Sequence, residues 1–452
     1  MTKFIIFLIF TILFIVFVAI GRNKTGSDWL SPFCFVNAFF YLARIPRLLF
    51  AEENLYQKGE ITDSMLWNYF FVTVCFFVIM NLTLLLLIPN KKNGPTKKSN
   101  VDSGFFFRIG LFFFFIGACF RLYEIVASGG FVYVIQNAWN RVELLEGMGY
   151  LDYFATFMTI GACFLEVACL TKKRKVYLLA FIVCLLSASV LNLAFGARSG
   201  LMKMLFGVVF VFYYCSPKRV SLRDFLKVRF ILPALLVVVV LVYLPTIRRQ
   251  DFDVSQLSFD SVISKLFSGE ASIINEISVF DEDVFTIDYF SYHPHWYGGN
   301  YLNLFTAWIP RSFFPEKGII DDGMFLRALM KGFNDINPNM TLSELHALGV
   351  SSSVPFTTSG IFYANFGFFG TVAGAFLTGL ITSFCYKKAM QTRSITDVLF
   401  YQFICTRLCL STKGIVELIM TFLVIKIIAE FIVRSAKPLV KQYERTEQKA
   451  FS

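Results

Sequence analysis

Residues Phe4–Ile20 read FIIFLIFTILFIVFVAI, an apolar run without a single charged side chain. A helix rises about 1.5 Å per residue, so a run of this kind approaches the length that crosses a bilayer. No small-x-small cleavage site follows it. We therefore interpret the run as a retained membrane span and not as a signal peptide.

The rest of the chain repeats this pattern. Of its 452 residues 56% are hydrophobic, and the mean hydropathy is +0.63. A soluble protein could not bury that much apolar surface, so the composition indicates an all-α polytopic membrane protein. Eleven transmembrane helices are predicted, at 4–20, 30–48, 66–88, 105–127, 150–170, 176–195, 199–215, 230–245, 358–385, 398–412 and 414–434.

Basic clusters predict which side of the membrane each connection faces. Lysine and arginine accumulate on the cytoplasmic side. They cluster at 91–98, 172–175, 218–229, 387–388 and 434–449. With eleven spans, one orientation places every cluster inside: an external N-terminus and a cytoplasmic C-terminus.

This topology divides the chain into four parts. Residues 1–245 hold spans one to eight, 246–357 form a large external segment, 358–434 hold the last three spans, and 435–452 are a basic cytoplasmic tail. The external segment is far longer than a connection requires, which favours a functional role. Apolar residues recur at helical spacing within 259–277, which predicts amphipathic helices there.

The cysteines indicate no disulfide framework. The chain has ten, and all of them lie in apolar segments and none in the external segment. We interpret them as small buried hydrophobic side chains.

The external segment contains a motif that combines aromatic and basic residues. It reads Trp308-Ile309-Pro310-Arg311-Ser312-Phe313-Phe314-Pro315-Glu316-Lys317. Guanidinium groups bind phosphate through planar, paired hydrogen bonds. Five external cations are therefore candidates for binding a lipid pyrophosphate, although snorkelling of single cations at the interface is the alternative. They are Arg198, Arg248, Arg249, Arg311 and Lys317.

Candidate catalytic and sugar-binding residues also lie outside. In Tyr292-His293-Pro294-His295-Trp296, one histidine is a candidate general base for a sugar hydroxyl; loop packing is the alternative for each. The pair lacks a third ligand at metal-binding spacing, so no metal site is predicted. Asp281 and Asp283 repeat an Asp-x-Asp pattern, which we interpret as solvated acids.

Charged residues within the predicted spans form two local pairs. Arg121 with Glu124 and Lys426 with Glu430 have the spacing that places both side chains on one helix face. The glycines of Gly367-Phe368-Phe369-Gly370, with Gly374 and Gly379, predict close helix packing.

In these motifs the chain resembles the oligosaccharide repeat-unit polymerases, the Wzy-type O-antigen polymerases of bacterial surface-polysaccharide assembly. The resemblance covers about residues 30–385. It rests on the order of five elements: Ser31-Pro32, the loop from Gly129-Gly130 through Arg141 to Gly149-Tyr150-Leu151, Gly196-Ala197-Arg198, Ile309-Pro310-Arg311 with Phe314-Pro315-Glu316-Lys317, and Ser359-Gly360-Ile361-Phe362-Tyr363-Ala364-Asn365-Phe366-Gly367 with Gly370. Ile361 departs from the pattern, because many relatives carry an acid there.

The resemblance implies a GT-C-like architecture and a glycosyltransferase of the bacterial inner membrane with its active site on the periplasmic face. Such enzymes move a growing glycan from undecaprenyl pyrophosphate to the non-reducing end of a lipid-linked repeat unit. Arg311, His295 and Tyr363 are then the expected catalytic residues, and Tyr297 and Trp308 the expected sugar-binding ones. No cofactor is expected. A flippase and a chain-length regulator are expected partners, and nucleic acid is not.

Two other functions are compatible with the sequence. An O-antigen ligase or another lipid-linked sugar transferase would share the spans, the external segment and the external arginines, and only the motif order favours the polymerase. A lipid-linked oligosaccharide flippase should show an internal repeat and short loops, whereas this chain has one dominant external segment.

Overall fold

The structure is a computed structural model that describes residues 1–50, 60–90, 103–137, 144, 148, 150–195, 198–216, 278–309, 311, 313–334 and 336–436. Over these residues the protein is helical, and the one strand-like pairing among them is an antiparallel bridge between Gly318 and Thr341. The predicted span at 230–245 and the predicted amphipathic helices at 259–277 lie outside the described residues, as do Arg248 and Arg249.

The helices are numbered in chain order: α1 Thr2–Thr25, α2 Pro32–Leu42, α3 Ile45–Phe50, α4 Asp63–Leu87, α5 Ser103–Ala127, α6 Phe131–Gln136, α7 Leu151–Ala155, α8 Phe157–Thr171, α9 Lys175–Ala194, α10 Arg198–Cys215, α11 Phe280–Tyr292, α12 Asn303–Thr306, α13 Asp322–Met330, α14 Leu342–Ala347, α15 Thr358–Thr392, α16 Ile395–Arg407 and α17 Thr412–Phe422. A 3-10 turn, Gly299–Leu302, precedes α12, and a π-helical stretch, Leu423–Ala429, continues α17.

Six helical segments in the described part of the chain are long and apolar enough to cross a membrane: α1, α4, α5, Leu151–Thr171, α9 and α15. Each coincides with a predicted span, so the prediction of an all-helical polytopic membrane protein is confirmed. The predicted span at 30–48 is not one helix, because α2 ends at Leu42 and a turn at Ala43 and Arg44 precedes α3.

The first of two compact units contains Met1–Asn93, Gly269–Lys387 and Ile404–Ile419. One core joins α1 and α4 to α11, which contributes Phe280, Val284 and Ile287. A second core surrounds α13 and includes Phe325 and Leu326. The described part of the external segment is therefore packed into this unit.

The second unit contains Gly94–Ser268, Lys388–Phe403 and Met420–Ser452. Helices α5 and α8 cross closely because glycines face each other. A Cβ atom added at Gly117 would lie 2.3 Å from the backbone nitrogen of Met158, and one at Gly161 would lie 2.5 Å from that of Phe114. Larger side chains at these positions would separate the helices.

Contacts within the first unit join residues at helix ends that the predicted topology places on the same side of the membrane. Lys24 donates to the carbonyl of Leu85 at 2.6 Å, and Tyr386 donates to Asp28 at 2.9 Å; all four residues fall at predicted cytoplasmic ends. Arg44 pairs with Asp283, and Thr358 donates to the carbonyl of Leu408 at 3.5 Å, at predicted external ends.

Candidate functional site

Two predicted site residues of the external segment, His295 and Tyr297, lie beside a break in α15, the helix that also carries Tyr363. Gly367, inside this long apolar helix, has φ 61° and ψ −145°. Side chains disfavour this conformation, and it interrupts the helical ladder of hydrogen bonds. A glycine motif that predicted helix packing thus contains a helix break, whereas Gly379 does pack closely, against Thr83 of α4.

A loop from the external segment donates hydrogen bonds to the backbone and a side chain of α15 at this break. The backbone N–H groups of Trp296 and Tyr297 donate to the carbonyls of Ala364 and Asn365, both at 3.0 Å. The N–H of Gly298 donates to the side chain of Asn365 at 2.8 Å. Broken helices in membrane proteins need such partners for their carbonyls. The loop is consequently fixed in position on α15.

His295 lies at the centre of this arrangement. Its Nε2 atom is 3.0 Å from the position a Cβ atom would occupy on Gly367, so a larger residue there would crowd the imidazole. The ring packs on Phe290 and meets Tyr297 and Tyr363 edge-on, with centroid distances of 6.2, 6.2 and 5.8 Å. Its Nδ1 atom is buried and has no hydrogen-bond partner among the described residues.

Tyr363 is held on α15 with its hydroxyl 3.0 Å from that of Ser291 at the end of α11. The two hydroxyls and the imidazole form a polar cluster with aromatic walls. His293 does not belong to this cluster. Its ring stacks on Tyr289 at a centroid distance of 3.9 Å, and its Nδ1 atom is 2.8 Å from the Tyr289 carbonyl oxygen. The structure therefore places the two histidines in different surroundings: His293 on Tyr289, and His295, the expected catalytic residue, beside Tyr363.

Two aromatic residues predicted to bind sugar are accessible. Tyr297 is 74% exposed and has φ 50°, a conformation imposed by the bonds that hold its loop on α15. Trp308 is 49% exposed. Both residues therefore present accessible aromatic faces.

Arg311 and Lys317 hold their own loop together. Arg311 donates to the carbonyls of Pro315 and Lys317 at 3.2 and 3.3 Å. The Lys317 ammonium is buried and donates to the carbonyls of Thr306, Ala307 and Ile309 at 3.4, 3.3 and 2.5 Å. Burial, and then the charge of Arg311, lower the pKa of Lys317.

The Lys317 ammonium therefore satisfies the carbonyls that end α12, which is a structural task beside the predicted pyrophosphate role. Of the other predicted cations, Arg198 begins α10 in the second unit, and its side chain is outside the described part. The structure brings together His295, Tyr297 and Tyr363, and it orders Trp308, Arg311 and Lys317 within one loop.

The sequence prediction missed a buried ionic network near the start of α15. Arg44 pairs with Asp283, and Arg47 with Asp281, both at 3.0 Å. Thr357 donates to Asp283, and Arg44 also reaches the Ser359 hydroxyl at 3.5 Å. Burial raises the pKa of Asp283, while Arg44 and Thr357 oppose that rise.

The interpretation of Asp281 and Asp283 as solvated acids was wrong, since each is only 1% exposed. Arg44 and Arg47 both lie within the predicted span at 30–48. Their presence there is the signal that could have predicted buried ion pairs. Two arginines at the end of an apolar run require acidic partners if they are buried.

A second missed cluster surrounds Asp322. This carboxylate is 1% exposed and accepts bonds from Asn300 at 2.9 Å and from the Thr412 backbone and hydroxyl at 2.5 and 2.9 Å. It sits at the N-terminus of α17, where the helix dipole favours a negative charge. Burial nevertheless raises the pKa of Asp322 to about 6.

This raised pKa predicts a pH-dependent stability. The fold favours protonated Asp322, so its contribution is fully present below the unfolded pKa and is lost as the pH rises through about 6. From pH 5 to pH 7.5 we expect the wild type to lose on the order of 1 kcal/mol relative to Asp322→Asn. Thermal unfolding of both proteins at the two pH values measures this. Parallel shifts in both proteins would contradict it.

The local pairs predicted within the second unit are confirmed. Arg121 pairs with Glu124 at 2.6 Å and, in addition, with Asp152 at 2.6 Å, and it donates to Asn192 at 3.1 Å. Lys426 pairs with Glu430. Arg121 is buried, so it is not a cation that snorkels to the interface.

Comparison with models of protein families, with characterised proteins and with solved structures gives no match for this chain.

Proposed function

We propose that the protein is a surface-polysaccharide polymerase of the Wzy type, with eleven membrane spans and a GT-C-like arrangement. It would transfer the growing glycan from undecaprenyl pyrophosphate to the non-reducing end of a lipid-linked repeat unit. The predicted topology puts this reaction on the outer face of the bacterial inner membrane. The proposal rests on the residues of the external segment and on the motif order.

The observation that carries the proposal is the placement of His295. An imidazole whose Nδ1 atom is buried faces a helix break at the predicted external end of a membrane helix, beside two hydroxyls and exposed aromatic rings. Polar groups of this kind, held at membrane depth on broken helices, are typical of substrate sites in membrane proteins. A lipid-linked glycan presents its sugars at that level.

In the proposed reaction a hydroxyl of the acceptor sugar attacks the anomeric carbon of the donor glycan. The new glycosidic bond forms as the bond to the pyrophosphate oxygen breaks, and undecaprenyl pyrophosphate leaves. The imidazole of His295 accepts the hydroxyl proton, and the Tyr363 hydroxyl orients the acceptor. Tyr297 and Trp308 stack on sugar rings, which hold the two substrates in register.

The leaving group gains negative charge as it departs, and cations stabilise it. Arg311 is the candidate nearest the aromatic residues in sequence, and Arg198, Arg248 and Arg249 are further candidates. Lys317 fixes the loop that carries Arg311, since it binds the carbonyls of Thr306, Ala307 and Ile309. No metal is required where cations neutralise the pyrophosphate.

A deletion strain tests the proposal. Loss of a polymerase should leave core glycolipid that carries a single repeat unit and no ladder of longer glycans. Loss of a ligase or a flippase should remove even the single unit. An intact ladder in the deletion strain would contradict the proposal.

Arg311→Ala should abolish the glycan ladder while the protein level in the membrane stays unchanged. The reason is the loss of the cation that stabilises the departing pyrophosphate, an interaction of the transition state. Gel analysis of the surface glycan, with immunoblotting of the membrane fraction, measures both quantities.

Lys331→Ala is the matched control for this variant. Lys331 is another cation of the external segment that holds a backbone carbonyl, that of Gly349 at 2.6 Å. We expect Lys331→Ala to keep the ladder. A normal ladder in Arg311→Ala would show that Arg311 only supports its loop.

A further inference from the structure

The short helical stretch that follows the His295 loop buries its polar side chains and exposes its apolar ones. Asn300 and Asn303 are buried, with 0% and 6% exposure. Leu302, Phe305 and Ile309 follow helical spacing on the opposite side and are 58%, 80% and 40% exposed. A surface helix in water shows the contrary pattern, with its apolar face inward.

The buried asparagines explain how this reversal is stable. Asn300 donates to Asp322 at 2.9 Å and to the Thr412 hydroxyl at 3.1 Å. Asn303 donates to the carbonyls of Ile319 and Pro338, both at 3.0 Å. The polar side chains thus hold the helix on the first unit, and the apolar side chains are left facing outward.

The exposed apolar surface continues into the Trp308–Lys317 motif. Phe313 is 82% exposed and Phe314 is 40% exposed. Residues 302–309 contain no charged side chain, and Arg311, which lies between Ile309 and Phe313, donates to the carbonyls of Pro315 and Lys317. The nearby ammonium of Lys317 is buried beneath backbone carbonyls. We call Leu302, Phe305, Ile309, Phe313 and Phe314 together the apolar rim.

The connection of the apolar rim to α15 indicates the depth of the rim relative to the bilayer. Its chain leaves the His295 loop, which is bonded to α15 beside Gly367. From Gly367 to the basic pair that starts at Lys387 is 20 residues. At about 1.5 Å per residue this spans roughly 30 Å, the thickness of the hydrocarbon layer. With Lys387 at one boundary, Gly367 lies at the other, where the headgroups begin.

We propose that the apolar rim is a membrane-insertion surface that dips into the outer leaflet of the bilayer that the protein spans. Its occupant is lipid, because the rim is uncharged and outward-facing and is tied to a spanning helix at the headgroup boundary. Transfer of apolar side chains from water into the hydrocarbon layer is favourable, so the rim anchors the external segment beside the membrane. Insertion of this surface does not depend on the polymerase activity.

Site-specific photo-crosslinking tests the inference. The full-length protein carries p-benzoylphenylalanine in place of Phe305 and is reconstituted in vesicles of phosphatidylethanolamine and phosphatidylglycerol. After irradiation, mass spectrometry measures the adduct on the protein. The matched control carries the same group at Ser352, an exposed polar position of the external segment. Phe313 serves as a second rim position.

A phospholipid adduct at residues 305 and 313, with none at 352, is the expected result. A covalent dimer at the rim positions would show that a second copy of the chain covers them, and would overturn the inference. The absence of lipid adducts at both rim positions would overturn it as well. Equal lipid labelling at 352 would do the same, since lipid contact would then not distinguish the rim.

Discussion

Replacement of His295 by alanine is expected to abolish the glycan ladder and leave single repeat units on the core glycolipid. In the proposed mechanism the imidazole accepts the proton of the acceptor hydroxyl, and removal of a general base typically lowers a rate by about 10²–10⁴-fold. His295→Phe should have the same effect, because it keeps an aromatic ring beside Phe290 and removes the nitrogen atoms. The measurement is gel analysis of surface glycan in a complemented deletion strain.

His293→Ala is the control for both variants, since His293 is two residues away and stacks on Tyr289. It should keep the ladder at normal protein level. A ladder in His295→Phe would show that the ring of His295 packs against its neighbours and does no chemistry.

Arg44→Ala is expected to destabilise the first unit by about 3–5 kcal/mol, the usual effect of leaving a buried charge without its partner. Among the described residues, Thr357 would remain as the side chain that donates a hydrogen bond to Asp283. Thermal unfolding of purified Arg44→Ala, Asp283→Ala and the double variant measures the effect. We expect the double variant to lose less stability than the two single losses combined.

Lys413→Ala provides the comparison for an exposed pair. Lys413 bonds to Asp321 at 2.6 Å, but its side chain is 48% exposed. Exposed ion pairs contribute about 0–1 kcal/mol. Equal losses in Arg44→Ala and Lys413→Ala would contradict the assignment of Arg44 as a buried structural cation.

The apolar helices were the most predictable part of this fold, because membrane thickness fixes their length. The run at Phe4–Ile20 is enough to predict α1, and the same reasoning predicts α4, α5, α9 and α15. The span at 30–48 was not a single helix, because a turn at Ala43 and Arg44 separates α2 from α3, and Arg47 lies in α3. The partners of the two arginines, Asp281 and Asp283, are over 200 residues away, and no local pattern reveals such a pair.

Gly367 is a second feature whose structural role could not be predicted from the sequence. Glycine in an apolar run predicts either close packing or a break, and the partners that decide between them are distant. Trp296 and Tyr297 supply the N–H groups that make the break stable. The same bonds hold the His295 loop on α15, where the ring of His295 lies next to Tyr363, a proximity that no local sequence pattern reveals.

The most direct test of the proposed polymerase uses the purified full-length protein in vesicles with undecaprenyl-pyrophosphate-linked repeat units. Mass spectrometry follows the lengths of the lipid-linked glycans, and phosphate analysis follows the released undecaprenyl pyrophosphate. We predict glycans of two and more repeat units, with one carrier released for each new linkage and neither product from His295→Ala. Repeat units that stay single with the wild-type protein would contradict the central claim.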